Sequence, residues 1–320
     1  QINPGQVGGP IPPSASTFKQ LQPKITLAYK VNDDTNLFAN WGVGFKAGGF
    51  NNQGSAAIVN NNFNNGRVPG TINAGVTIND QYRLERSSAF EAGIKGNLLD
   101  GRISYDLAGY YTQVRDMQFF EFFVGGFGLL RVVSNIDRVD LWGAELNLNA
   151  KIVDGWTVFA SGNITDSEIK SNRSRPDTLG NKSPYTADYT LNVGTQVSVP
   201  VNDRLKANFR ADYRLTGPTW FHSVQDQEKP TLFSGLLPIS ALALPGFVGN
   251  ARYDVTRRDA FGVVNLRAGI EGKNWQVSVF ANNLLDKLWL NEVIPAIEFG
   301  GSFISPGQRR IIGGEVSFKF

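Results

Sequence analysis

The 320-residue sequence has no cysteine, a single methionine and a single histidine, His222. Without a thiol there is no disulfide framework, no thiolate nucleophile and no cysteine-built metal cage. One histidine is too few for a multi-histidine metal site. No run approaches 18 apolar residues, so no transmembrane helix is written into the chain. No window sustains a helical period of apolar residues either. Charge of one sign is also missing. Lys and Arg number 31 against 28 Asp and Glu, a formal net charge of +3, which is no footprint for nucleic acid. The opening QINPGQVGGPIPPSAS lacks both an initiator methionine and an apolar signal core, so a processed or truncated start is expected.

What the sequence does have is glycine (35), phenylalanine (22) and a two-residue alternation that runs almost from end to end. Eleven alternating segments can be marked: 22–31, 36–46, 84–99, 102–118, 134–152, 155–169, 184–199, 204–220, 260–272, 274–286 and 306–320. Many exceed the usual strand of about five or six residues. A bilayer crossing at a tilt needs about 9–11. In LKANFRADYR (205–214), Leu205, Ala207, Phe209, Ala211 and Tyr213 share one face, and every residue of the other face is polar or charged.

The connections alternate between short and long. NDDT (32–35), DG (100–101), DG (154–155), VNDR (201–204) and GKN (272–274) are short. The Asp-Gly pairs suit tight hairpins because glycine accepts positive φ. The connections 47–83, 119–133, 170–183, 221–259 and 287–305 are long. Outer-membrane barrels sort their loops in this way, with short periplasmic turns and long extracellular loops. Aromatic residues near segment ends, such as Trp41, Tyr111, Trp142, Trp156, Trp220 and Trp275, match girdles at two water–lipid interfaces. The predicted fold is therefore all-β: a transmembrane antiparallel β-barrel.

Bacterial single-chain barrels have even strand numbers. Eleven strands, with the last descending to the periplasm, place residues 1–21 on the extracellular side. The expected domain plan is an extracellular segment over 1–21, then the C-terminal half of a 22-stranded barrel over 22–320. The alternative is a ten- or twelve-stranded barrel with one segment miscounted.

Five stretches carry a family resemblance. LERSSAFEAGIKGNLLDGRISYDLAGYYTQVRDMQ (84–118) and VDLWGAELNLNAKIVDGWTVFASGNITDSEI (139–169) resemble two hairpins of the TonB-dependent outer-membrane receptors. LKANFRADYRLTG (205–217) and VVNLRAGIEGKNWQVSVFANNLLDKLW (263–289) continue the match, and NNLLDK (282–287) resembles the family's strand end. The closing RRIIGGEVSFKF alternates onto Phe318 and Phe320, which resemble the terminal aromatic signal read by the barrel assembly machinery. The resemblance implies TonB-energised import of a scarce nutrient, with iron chelates such as ferric siderophores leading on the family's habits. It also implies a plug domain coupled to TonB, absent from this chain. Passive diffusion and a surface scaffold with a protein partner are the alternatives.

Candidate ligand contacts lie in the long loops: Trp220, Phe221, His222, Arg257 and Arg258. Candidate lumen-facing residues are Glu145, Arg210, Arg267 and Glu315, whose plainer use is cross-strand pairing of opposite charges in a wet wall. Arg257–Arg258, Arg309–Arg310, Arg173 and Arg175 suit lipopolysaccharide phosphates, an anionic ligand or plain solvation. Two loops, FFEFFVGGFGLL (119–130) and LFSGLLPISALALPGFVG (232–249), are unusually apolar and mark a partner, a hydrophobic ligand or mutual packing in the mouth. Expected partners are outer-membrane lipid and lipopolysaccharide, a small-molecule ligand and a surface protein. No cofactor is implied. No enzymatic activity is expected, because nothing presents a base held by an orienting carboxylate, and Ser223 beside His222 points to the opposite face of an extended chain.

Overall fold

The structure is a computed structural model that describes residues 14–51, 54–59, 78–125, 128–225, 228–230, 250–296 and 301–319. Eleven strands form one sheet: β1 (Lys24–Lys30), β2 (Thr35–Lys46), β3 (Glu85–Leu98), β4 (Ile103–Gly125), β5 (Gly128–Val153), β6 (Trp156–Ser171), β7 (Tyr189–Asn202), β8 (Leu205–Thr216), β9 (Phe261–Glu271), β10 (Trp275–Asn282) and β11 (Ile311–Phe318). Each pairs antiparallel with the next in chain order, so the sheet is a pure meander with β1 and β11 at its edges. No described helix is long and apolar enough to cross a membrane.

The turn chemistry explains one rim. Between β3 and β4, Leu99, Asp100 and Gly101 all take positive φ. Between β5 and β6, Gly155 has φ +79°, and a Cβ there would meet the Ser198 carbonyl oxygen at 2.2 Å. Only glycine meets both demands. The other rim carries the long connections, which contain small hairpins of their own, Leu290–Ala296 with Gly301–Pro306 among them.

Alternation sorts the two faces. Leu107, Leu146, Ile164, Val279, Ile312 and Val316 stand exposed on the outer face, Ile164 at 63% and Ile312 at 71%. In a soluble protein so much exposed aliphatic surface would be a liability; facing lipid it is the stable arrangement. One row of directly paired residues across four strands is aromatic: Trp41, Phe90, Tyr111 and Trp142. The Trp41 indole donates to Ser88 Oγ at 3.0 Å, so its apolar ring can face lipid while its N–H is satisfied on the loop side. This is the girdle of one interface.

Several expectations change. Residues 119–133 are not a long loop. The strands β4 and β5 continue through them, 23 and 26 residues long, and meet at 125–128. At about 3.3 Å per residue β4 spans ~75 Å, well beyond a bilayer, so the upper half of the hairpin projects outside. The segment 204–220 breaks at Gly217–Pro218, since proline cannot donate to a ladder, and Thr219–Trp220 forms a separate short strand. The segment 184–199 begins later, at Tyr189. The segment 274–286 ends at Asn282, because Asn283 takes φ 50° and leaves the strand. Phe320 and the apolar stretch 232–249 lie outside the described residues.

Candidate functional site

At the inner side of the long-loop rim an apolar cluster forms. Phe119, Ile136, Val139 and Ile169 are buried together, with Val114, Met117 and Leu141 against them. They come from β4, β5 and β6, whose lumen-side positions turn apolar above the girdle. Two loops fold over this cluster. In the loop after β6, Asn172 and Thr178 close a 3₁₀ turn over Pro176–Thr178, with Asn172 Nδ2 donating to Thr178 Oγ1 at 2.8 Å. In the loop after β8, Gln225 locks onto Lys182 through its amide: Lys182 N donates to Oε1 at 3.0 Å, and Nε2 donates to the Lys182 carbonyl at 2.9 Å.

A buried polar triad sits where the loops meet the hairpin. Arg175 Nη1 donates to Glu121 Oε1 at 3.0 Å, and His222 Nε2 lies 3.5 Å from the same oxygen. The His222 ring meets Phe119 edge-on at 5.6 Å. Val224 N donates to His222 Nδ1 at 3.0 Å, which assigns the remaining ring proton to Nε2, toward Glu121. Burial and the neighbouring Arg175 charge pull the His222 pKa down to about 3, so the ring is neutral. Burial pushes the Glu121 carboxyl up, against the opposing pull of Arg175. Sequence reasoning singled out His222 and Arg175 but not Glu121. The signal was there: a lone glutamate inside FFEFFVGG is a charge that burial forces to find a partner.

Beside the triad, residues 37 and 39 positions apart in sequence come together. Trp220 pairs with Arg257, and Thr219 with Arg258, as two short antiparallel strands. The Arg258 guanidinium lies over Phe221 at 5.4 Å and over Phe261 at 4.9 Å. It donates to Thr219 Oγ1 at 2.7 Å and to the Leu290 carbonyl at 3.1 Å. Phe261 stacks on Trp289 at 5.0 Å, and Tyr185 meets Phe221 edge-on at 5.3 Å. Burial, with Glu292 beside it, pushes the Tyr185 phenol up to about 12. The five candidate ligand contacts therefore form one shelf with two jobs. Phe221 and His222 are buried, at 2% and 6% exposed, and Arg258 is half-buried; these three hold the loops together. Trp220 and Arg257 reach the surface, with the Arg257 guanidinium 5.8 Å from the Trp220 ring.

The lumen candidates are spread along the wall below. Arg267 binds Glu315 at 2.6 Å across β9, β10 and β11, and donates to Ser278 Oγ at 2.8 Å on the way. Arg210 donates to Gln196 at 3.2 Å and lies over the Phe159 ring at 4.6 Å. Glu145 is half-buried on β5, opposite Asn163 and Ala108. Phe318 is exposed and paired with Trp275 at the other rim. Arg309 and Arg310 both engage Asp286, and Arg173 binds Asp137 at 2.7 Å. The shelf can bind: it offers cations, rings and backbone groups. Among the described residues no three His, Asp or Glu side chains gather to hold a metal ion.

A meander with a lipid-facing aliphatic wall, an aromatic girdle, short turns on one rim and loops docked into the mouth on the other defines an outer-membrane β-barrel. The family model "TonB dependent receptor-like, beta-barrel" matches residues 3–284, and the chain belongs to that family. The pesticin receptor of Yersinia enterocolitica is 25% identical over 207 residues, which is 64% of this chain and 26% of the relative. Among solved structures, the ferric yersiniabactin uptake receptor FyuA from Yersinia pestis superposes with a TM-score of 0.65 at 17% identity, over 93% of this chain and 37% of that one. The siderophore receptor PiuA from Acinetobacter baumannii gives a TM-score of 0.58 at 16% identity, over 93% and 35%. The chain thus spans about a quarter of the length of its curated relatives. The relatives are named as receptors, not as enzymes.

Proposed function

We propose that this chain forms part of an outer-membrane importer that captures a metal chelate, a ferric siderophore or a similar complex, and moves it inward with energy relayed by TonB. The observation that carries this reading is the shelf at the mouth, where Arg257 over Trp220 presents a cation and an aromatic face on the loop side. Chelates of hard cations are commonly anionic and often aromatic, and both features meet a complement there. The structures it superposes on include proteins named for ferric yersiniabactin, siderophore and ferric citrate transport. We further propose that the eleven strands are half of a 22-stranded wall, in which β1 and β11 pair with further strands and a plug fills the lumen. The low coverage of the relatives and the edge position of β1 and β11 support this.

Uptake of radiolabelled ferric siderophores by cells carrying the receptor tests the reading. Trp220→Ala with Arg257→Gln is expected to lower uptake at least tenfold, and a proton-motive-force uncoupler to abolish it in the parent. Uptake that persists with the uncoupler present would make the barrel a passive channel.

A second reading has its own support. The β4–β5 hairpin projects beyond the wall, and one superposed structure is the complex of FpvAI with pyocin S2. A surface protein docking on this hairpin would be lost on shortening its tip across 123–129, which leaves Phe119 and Glu121 in place, with uptake of small chelates retained.

A further inference from the structure

Among the described residues, six other than glycine take positive φ: Leu99, Asp100, Asp116, Tyr185, Asn283 and Asp286. Leu99 and Asp100 form the tight turn between β3 and β4. Asp116, Asn283 and Asp286 carry short polar side chains, which tolerate the left-handed region. Tyr185, at φ 60°, has neither reason. A bulky residue held there is strained, and it persists only where its surroundings over-determine it. Here they do. Ser183 N donates to Ser167 Oγ at 2.9 Å, Tyr185 N to the Trp220 carbonyl at 2.7 Å and Asp188 N to the Pro218 carbonyl at 3.1 Å. Ala187 forms a bridge with Thr219. With the Lys182–Gln225 bonds, these contacts fasten 182–188 along 218–225.

The strained backbone sets one side chain at the shelf. The Tyr185 ring stands edge-on to Phe221 and remains 41% exposed, and its hydroxyl turns to the Glu292 carboxylate. Glu292 comes from the small strand Leu290–Ala296, which Arg258 ties to the shelf by donating to the Leu290 and Asn291 carbonyls. Among the described residues no Lys or Arg pairs with Glu292. A phenol that donates to a carboxylate leaves the remaining lone pairs of both groups able to accept. This end of the shelf therefore offers acceptors and negative charge, whereas Arg257 at Trp220 offers donors and positive charge.

We propose that Tyr185 and Glu292 are the cation-reading pole of the shelf, and that the chelate captured there bears a protonated amine seated between them. An ammonium carries three donors and a full charge, which match a carboxylate and a phenol oxygen side by side. The backbone bonds already fasten 182–188 without the phenol, so the strain serves to place the phenol rather than to tie the loop down. The inference rests on the shelf being a chelate site and goes beyond it by naming the charge pattern of the ligand. An anionic, aromatic part lies over Trp220 and Arg257, and an ammonium lies at the other end.

The test uses the full-length receptor in mild detergent and two synthetic ferric triscatecholates, one with a pendant primary amine and the other with that amine acetylated. The two share the chelated metal and differ in one charge. Binding is read by quenching of tryptophan fluorescence. The amine complex is expected to bind about tenfold tighter than the acetylated one, and Glu292→Gln to bring that ratio below about two. Tyr185→Phe keeps the ring and its edge contact. It is expected to lower the ratio about threefold, with hydrogen exchange across 182–188 unchanged. A ratio near one in the parent overturns the proposal and leaves the chelate site standing. A ratio that survives Glu292→Gln, or no binding of either complex, also overturns it. So does a Tyr185→Phe variant that loosens 182–188 and weakens both complexes alike, which is how a structural tie behaves. Cellular uptake separates the two readings: a complex that binds with the expected ratio but is not imported overturns import and upholds the pole.

Discussion

His222 and Arg258 show how single residues hold the mouth closed. His222 is buried and neutral at an expected pKa of about 3, far below its ordinary 6.5. An opened loop takes up a proton as pH falls below 6.5, while the closed loop refuses it. Stability of the closed loop is therefore complete above about 6.5 and falls as pH drops toward 3. The slope is at most about 1.4 kcal/mol per pH unit, so the drop between pH 7.5 and 5 is about 2 kcal/mol. Glu121 works in the opposite sense, because its raised pKa favours the closed loop at low pH. His222→Gln leaves Glu121 in place and isolates the histidine. Hydrogen exchange at the Val224 amide, corrected for intrinsic rate, is expected to lose protection on acidification in the parent and to lose less in the variant. Arg258 is the second fastener. Two cation–π contacts and a fork to Thr219 and Leu290 hang on it, so Arg258→Gln is expected to loosen residues 219–225 by about 2 kcal/mol. Arg258→Lys is expected to rescue little, because an ammonium cannot reproduce the planar fork. Hydrogen exchange across 219–225 reads both variants.

Among the elements, what was legible in the sequence depended on whether two different solvents faced the strand. Within the bilayer band, lipid on one side and water on the other imposed a clean alternation, and β3, β6 and β8 begin or end within a few residues of their predicted limits. The Asp-Gly turns were equally legible, because the left-handed backbone names its residue. Above the band the rule lapses. In FFEFFVGGFGLL the residues on both faces are apolar, so the stretch looked like a loop and proved to be two strands. The site was legible as residue types but not as an arrangement. Nothing in the spacing of Trp220 and Arg257 foretells that a two-residue ladder will pair them. One interior device is also hidden from pattern reading. Phe159 on β6 lies against Gly194 on β7, where a Cβ would sit 2.4 Å from the ring, and Arg210 stacks on the ring from β8. An aromatic ring laid over a glycine of the neighbouring strand pins their register. Gly194→Val must displace the ring or the strand, and the Ala211 carbonyl at 2.7 Å closes the other escape. A loss of about 2–3 kcal/mol is expected, in the range for overpacking. The unfolding midpoint in denaturant checks it, with Gly109→Ala, which meets only the Gly143 carbonyl at 3.9 Å, expected to be near neutral.

At the scale of the whole molecule the asymmetry of the rims makes the strongest statement, since every function argued above requires the loop rim to face outward. The same rim carries the shelf, the buried triad and the projecting hairpin. If the chain were inserted the other way, Trp220 and Arg257 would meet the periplasm. The absence of cysteine makes the orientation directly readable, because any thiol introduced into these 320 residues is unique among them. Gly180 sits at positive φ in the loop after β6, exposed, with nothing within 4 Å of a Cβ. Asp203 is exposed in the turn between β7 and β8, on the opposite rim. In intact cells a membrane-impermeant maleimide is expected to label Asp203→Cys poorly and a loop-rim thiol at Leu179, also exposed and free of the positive-φ constraint, readily. Permeabilising the outer membrane is expected to equalise the two. The reverse pattern would invert the barrel and remove the shelf and the hairpin from the surface together, because one meander fixes both of them to one rim.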